Sequence, residues 1–372
     1  MHQKELLGEQ AISLVSLAVM SFNSKKYYKE KYEQNKSYLK HLLISIKNQT
    51  YPNLEIIIID DCSDENPFEL VKTILPQAKM IRNEKNLGLL KSENKAIEMF
   101  GGKYAGLLNQ DLYLEGDYIE KLVEVLEKDE KIGVCGGKTR TFLLNEKGEP
   151  EFSQLIDSAG MLFFKDRNII EAGRMEEDNG QYNKQKTVFG ITGAAPLFRK
   201  EALEDIKIFG EYFDEDFQMY KDDVDLCWRM NLRGWKCEYA PQALAHHART
   251  SAGIPKKYRK NFLLRRFGYI IHRVVKKQSG GSATRRRDVR NHYWMLVKND
   301  TWQSLLKSAP FFLWRELQKL VFGIFFEPNV YFPGWVDFFG KLGKMKGKRK
   351  IIQSRRKIIW QEMEKRFEKG IW

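Results

Sequence analysis

The sequence predicts an α/β protein with a mostly parallel sheet covered by helices on both faces, extended by a basic, mainly helical C-terminal region. Three observations carry this. Short apolar runs at 12–20, 54–60, 78–82 and 104–109 alternate with segments of helical character. Two of those runs lead into acidic residues, Asp60 and Asp61 at the end of the second and Asp111 after the fourth, at the strand ends where open parallel sheets bind ligands. Charge is also split along the chain. From Pro255 to Trp372 there are 29 Lys or Arg against 8 Asp or Glu, a balance of +21, which leaves −7 for residues 1 to 254 of a chain with net charge +14.

The elements follow in order. The run ISLVSLAVM (12–20) leads into a long charged segment whose early part is expected to project into solvent, and whose Leu39, Leu42, Leu43 and Ile46 then recur at helical spacing. LEIIIID (54–60) reads as a fully buried strand. Helices are expected at 64–75, 88–100 and 117–128, the last with Asp117 as its candidate cap. Strands alternating with helices argue for a parallel sheet. Residues 130–200, richer in Gly, are expected to complete the sheet and cover its open edge. After Ser251 the composition turns basic and aromatic, so the boundary is set near residue 252: a domain at 1–252 and a second region at 253–372.

With 372 residues and 42% apolar content, the chain is long enough for one large domain with a sizeable core plus a smaller appendage. No run of about 18 uncharged apolar residues occurs, and the polar start lacks a signal-peptide pattern, so a cytoplasmic protein is expected. Cys62, Cys135, Cys227 and Cys237 are widely spaced and form no CxxC pair. They read as reduced, buried small hydrophobes and not as a metal site.

Four constellations carry chemistry. In residues 56–64, four isoleucines precede Asp60 and Asp61. Carboxylates at a strand end can accept hydrogen bonds from a base N–H or a ribose hydroxyl; the alternative is that Asp61 and Ser63 cap the next helix. Residues 107–111, Leu-Leu-Asn-Gln-Asp, repeat the architecture and bring Asp111 to the same rim. Mg²⁺ or Mn²⁺ on a diphosphate needs one or two carboxylates, whereas a lone NxD is also an Asx turn. In residues 220–229, Asp222 and Asp223 open a helix. Their mutual repulsion raises a pKa, as a general base requires, although acids in a first turn also simply complement the helix dipole. Finally, an apolar strand ends in His246 and His247, which alternation sends to opposite faces, so one alone can enter a site.

Taken in order, these elements resemble the family 2 glycosyltransferases, inverting enzymes with the GT-A fold. The resemblance runs from about Ser13 to Thr250. It rests on Ser-Phe-Asn (21–23), the segment 45–55, the Asp-Asp-Cys-Ser-Asp turn, Asn-Leu-Gly (86–88) with Asn94, Asn-Gln-Asp, Gly-Ala-Ala (193–195), the acidic pair and the terminal histidine. The stretch 156–161, Ile-Asp-Ser-Ala-Gly-Met, is similar to the rhamnosyltransferase-like branch that builds bacterial surface polysaccharides. The resemblance implies a nucleoside-diphosphate sugar donor and a glycan or polyprenyl-linked acceptor. It implies that Ser21, Phe22 and Asp61 hold the nucleoside with Asp60 supporting the turn. Asp111 would bind the divalent cation on the diphosphate, His247 would add a metal or phosphate contact, and Asp223, or its neighbour Asp222, would activate the acceptor. Asn109 stands where many members have a first aspartate of the metal motif. Glu93 stands where many have an arginine, which leaves phosphate charge to Lys91 or the cation.

The tail interleaves aromatic clusters with Lys and Arg. Its span 309–327 contains Arg315, Glu316 and Lys319, so it is a poor spanning helix but suits a membrane interface, where anionic headgroups contribute roughly 1 kcal/mol per basic residue. The alternative is a small helical core or a homodimer contact. A nucleic-acid module on Arg285–Arg287 and Lys348–Lys350 lacks any recognition signature, and a nucleotidyltransferase would want a Gly-rich phosphate loop after the first strand. A non-catalytic sugar binder would not need the acidic pair.

Overall fold

The computed structural model describes residues 12–26, 32–249 and 281–368. The boundary expected near residue 252 lies outside these residues, as does part of the charged segment after the first strand. Strand β1 (Val15–Ser21) is buried throughout, and its β-branched and small residues pair in parallel with β2 (Leu54–Asp60). Helix α1 (Tyr32–Lys47) connects them, and α2 (Phe68–Ile74) leads to β3 (Lys79–Arg82), again parallel to β2. Helix α3 (Leu89–Met99) returns the chain to β4 (Tyr104–Asn109), on the other side of β1. In this register Ser21 sits opposite Asp60, and Met20 opposite both Ile59 and Asn109. The carboxyl ends of the three central strands thus meet at one rim.

The second half turns the sheet mixed. After β5 (Leu112–Leu114), helix α4 (Tyr118–Lys128) buries Tyr118, Ile119, Leu122, Val123, Val125 and Leu126, an apolar face at helical spacing. Asp117 stands at its amino end but makes no capping bond; its carboxylate pairs with Lys121 one turn on. The long β6 (Ile132–Leu144) pairs antiparallel with β7 (Pro150–Ser158), and a small hairpin of β8 (Met161–Phe163) and β9 (Ile169–Glu171) follows. Then come β10 (Lys186–Val188), β11 (Leu197–Arg199), α5 (Lys200–Ile206), α6 (Asp222–Leu232) and β12 (Lys236–His247). The ten-stranded sheet runs β10-β12-β6-β11-β4-β1-β2-β3, with β5 on β12 and β7 on β6. β11 is antiparallel to both its neighbours, which closes the gap between the two halves.

The C-terminal residues form α7 (Ser282–Asn299), α8 (Trp302–Lys307), α9 (Ala309–Phe325), α10 (Pro328–Gly340), α11 (Leu342–Ser354) and α12 (Trp360–Glu364). They share a core with the sheet domain. Trp294, Met295, Met345, Ile352 and Phe367 are buried in one cluster with Trp228, Phe189 and Phe163. Phe163 stacks on Phe189 at 4.4 Å and meets Phe367 at 4.8 Å, contacts worth about 0.5–1.5 kcal/mol each beyond their buried area. The fully buried Arg167 adds a polar tie: it donates to Asp300 at 2.7 Å and to Ser304 at 2.9 Å. Other basic residues of the tail pair within it, Arg285 with Glu327 and Arg286 with Asp337.

Removing one member of a buried ion pair strands the other. Arg167→Ala is expected to cost about 3–5 kcal/mol, read as a fall in the denaturant midpoint; an unchanged midpoint would show that the tie is immaterial.

Candidate active site

The turn after β2 builds one wall of the rim. Asp60, fully buried, accepts from the Ser63 amide and hydroxyl and pairs with Arg82 at 3.2 Å. It supports the turn. Asp61 does not cap α2. It reaches forward to the segment before α3, accepting from the amides of Leu87 at 2.8 Å and Gly88 at 2.9 Å, and from the Asn83 side chain at 2.9 Å. Gly88 there has φ 86°, a left-handed conformation that a side chain would strain.

The end of β1 is locked to the Asn-Gln-Asp segment. The Gln110 side chain accepts from the Phe22 amide at 3.1 Å and donates to its carbonyl at 3.0 Å. Ser21 is fully buried, its hydroxyl without a partner among the described residues. The Asn109 amide donates to Ala194 at 3.0 Å, so Gly193-Ala194-Ala195 lies along the β4 end. Asn94 is spent on the scaffold, exchanging hydrogen bonds with the Phe213 backbone and donating to Glu215, and Lys91 lies 3.9 Å from Glu215.

Asp111 faces His247. Their carboxylate oxygen and Nε2 are 3.3 Å apart, and both residues are buried. The Nδ1 of His247 lies 2.9 Å from Asp157, whose other oxygen pairs with Arg249; Arg249 also grips Glu171. Burial disfavours the charged imidazole, but Asp111 and Asp157 outweigh it and raise His247 to about 9. His246, on the opposite face, meets Glu115 at 3.0 Å and the ring of Phe152. Raised to about 9, His247 keeps a proton on Nε2 facing Asp111; the carboxylate is the hard ligand Mg²⁺ or Mn²⁺ prefers, and a divalent cation held by the pair would have to displace that proton. Among the described residues no group of three or more His, Cys, Asp or Glu could hold an ion, so the shell would need diphosphate oxygens.

The acidic pair opens α6 across the rim. Asp223 accepts from the Gly193 amide at 3.1 Å and from the Val224 amide at 2.8 Å. Burial raises its pKa. Asp222 is pushed up to about 7, by burial and then by the charge of Asp223. Glu93, buried on α3, is raised well above the usual range by burial and by both aspartates, and its Oε2 has no hydrogen-bond partner among the described residues. Three carboxyl groups therefore face one another, and among the described residues no ion pair neutralises them.

Several supporting residues escaped the sequence reading because their partners are distant. Asp157 lay inside a quoted motif, yet nothing local marks it as the group that orients His247. The loop into α6 holds Gln218, Tyr220 and Lys221 at positive φ, and Asn291 of α7 donates to the carbonyls of Phe217, Met219 and Tyr220 at 2.9–3.0 Å. Lys298 pairs with Asp225 at 2.9 Å and Asp214 at 2.5 Å, and Asn299 donates to Asp225 at 2.7 Å. The C-terminal helices thus hold the segment that presents the acidic pair.

Residues 27–207 match Glycosyl transferase family 2. An uncharacterized glycosyltransferase of Haemophilus influenzae is 33% identical over 138 residues, covering 36% of this chain and 39% of the relative. The poly-beta-1,6-N-acetyl-D-glucosamine synthase of Staphylococcus epidermidis is 27% identical over 204 residues, covering 54% and 44%. The chain therefore spans less than half the length of these relatives. The crystal structure of GalNAc-T7 with UDP, GalNAc and Mn²⁺ is similar with a TM-score of 0.50 at 13% identity, over 84% of this chain and 58% of the other. The fold is GT-A.

A carboxyl group whose folded-state pKa is raised binds its proton more tightly in the folded than in the unfolded chain, so its contribution to stability is lost as pH rises from about 4 through about 7. Asp222→Asn abolishes that loss. The stability of the variant relative to wild type is expected to improve between about pH 4 and about pH 8, measured by chemical denaturation; parallel profiles would contradict the raised pKa.

Proposed function

We propose that the chain is an inverting glycosyltransferase that moves a sugar from a nucleoside diphosphate to a hydroxyl of a glycan or polyprenyl-linked acceptor in cell-surface polysaccharide synthesis. What supports this is the chain of contacts from one pair toward the other: Asn109, two residues before Asp111, donates to Ala194, and the adjoining Gly193 donates to Asp223, whose neighbour Asp222 has no ion pair among the described residues. Residues 1–252 would carry the transfer chemistry, with 253–372 supporting it. The match to Glycosyl transferase family 2 and the two glycosyltransferase relatives support the reaction class. Rhamnose as the sugar rests only on the motif at 156–161. A polyprenyl-linked acceptor would keep the enzyme in the cytoplasm, at the inner face of the membrane.

In this reading Ser21 and Phe22, at the end of β1, with Asp60 and Asp61, form the nucleoside wall. Asp61 acts chiefly by holding Leu87 and Gly88 in place. Asn109 and Lys91 shape the approach to the diphosphate, while Asn94 contributes only through the scaffold, by holding Phe213 and Glu215. Asp223 takes the proton of the acceptor hydroxyl as that oxygen bonds to the anomeric carbon. The bond from that carbon to the diphosphate oxygen breaks on the opposite face, and the nucleoside diphosphate leaves with the electron pair. Asp222, titrating near neutrality, adjusts the basicity of its neighbour and is the alternative base. The GalNAc-T7 structure contains Mn²⁺, and a divalent cation at Asp111 and His247 would stabilise charge on the departing diphosphate. Asp157 keeps His247 in the orientation that faces Asp111.

With purified protein, a panel of nucleoside diphosphate sugars and Mn²⁺ or Mg²⁺, Asp223→Asn is expected to lower the transfer rate by about 10²–10⁴-fold with little change in donor binding. Asp111→Ala is expected to raise the cation concentration needed for half-maximal rate. Normal transfer in both variants would sink the mechanism.

A further inference from the structure

Helix α9 is built inside out. A surface helix ordinarily buries its apolar stripe and turns its charges to water. Here the charged residues point inward: Arg315 lies 3.9 Å from Asp166, Glu316 accepts from the Tyr293 hydroxyl at 2.6 Å, and Lys319 reaches His292 at 2.8 Å. The outer side carries Leu313, Trp314, Leu317, Leu320, Val321 and Phe325, recurring at three- and four-residue intervals and 40–74% exposed. The neighbouring α10 adds Phe332, Val336 and Phe339, one and two turns apart and 53–69% exposed. Soluble monomers rarely leave so long an apolar face in water.

Charge identifies the occupant. Residues 281–368 contain 19 Lys or Arg against 8 Asp or Glu. Lys307, which ends α8, pairs with Glu364, whereas Lys341 and Lys344, after α10, share the one carboxylate of Asp216 and keep a positive excess where their side chains are 50–52% exposed. Two copies of this basic face would repel one another, whereas anionic headgroups attract it and acyl chains accept Leu, Phe and Trp side chains. No described helix is long and apolar enough to cross a membrane, so the contact is lateral. We propose that α9 and α10 form a docking face for an anionic lipid bilayer, lying in the plane of its surface with the apolar stripe among the upper acyl chains. The idea deepens the reading of a lipid-carried acceptor and rests on it for purpose, while its physical basis is independent.

The test is co-sedimentation of the full chain with phosphatidylcholine vesicles, with and without phosphatidylglycerol. Wild type is expected to bind the anionic vesicles at least about tenfold more tightly than the neutral ones. The double variant Leu317→Glu with Phe325→Glu, both on the solvent side, is expected to lose that binding while keeping its melting temperature; Val336→Glu on α10 is the second probe should the first fail to fold. Wild type that ignores anionic vesicles, or folded variants that bind as wild type does, would overturn the proposal. So would a vesicle-free dimer that the charged variant splits into monomers, since a second copy would then cover the face. Transfer to a water-soluble acceptor, assayed in the same samples, separates the two ideas: transfer without vesicle binding defeats docking alone, and vesicle binding without transfer leaves docking standing and defeats the enzymatic reading.

Discussion

Compensation of buried carboxylates is the constraint on which this molecule depends. A parallel sheet gathers strand ends at one rim, and here many of those ends are acidic. Burying an ionised carboxylate is affordable only with a partner, and most have one. Asp157 lies between Arg249 and His247, Asp178 between Lys138 and Arg140, and Asp214 between Lys298 and Lys348. All three carboxyl groups are held below the usual range, Asp214 at about 2, because these cations outweigh burial. Asp222, Asp223 and Glu93 are the contrast, with pKa values that rise. Among the described residues these three have no ion-pair partner, and beyond burial they raise one another's pKa instead.

The same constraint explains the uneven charge of the chain. A domain of net −7 is joined to a tail of net +21, and part of that tail is its counterion. Lys298 and Lys348 enter the sheet domain to meet Asp214, and Lys298 continues to Asp225 at the start of α6. Asn291 satisfies the carbonyls of a loop with three residues at positive φ, a conformation that persists only where surroundings impose it. The tail is therefore part of the machinery that aims the acidic pair, besides presenting an apolar face on α9 and α10. Charges that a composition count assigns to outside partners are in good part spent inside.

By itself the sequence determined the alternation of strands and helices, the four strand positions of the first half, the acidic end of β2 and the aspartate just beyond β4, and the opposite facing of His246 and His247. These are local properties: apolar runs, period-two alternation and helical spacing act over a few residues, so a reader of the chain meets them directly. Tertiary structure alone decided what each polar group touches. That Asp61 clamps Leu87 and Gly88, that Asp157 orients His247 across 90 residues, and that Asn94 serves Phe213 across 119 residues depend on long-range closure, which no local pattern encodes. The inversion of α9 is of the same kind. Its stripe is visible in the sequence, but which side faces water was set by the partners that Arg315, Glu316 and Lys319 found, because a buried charge goes where its counterion is.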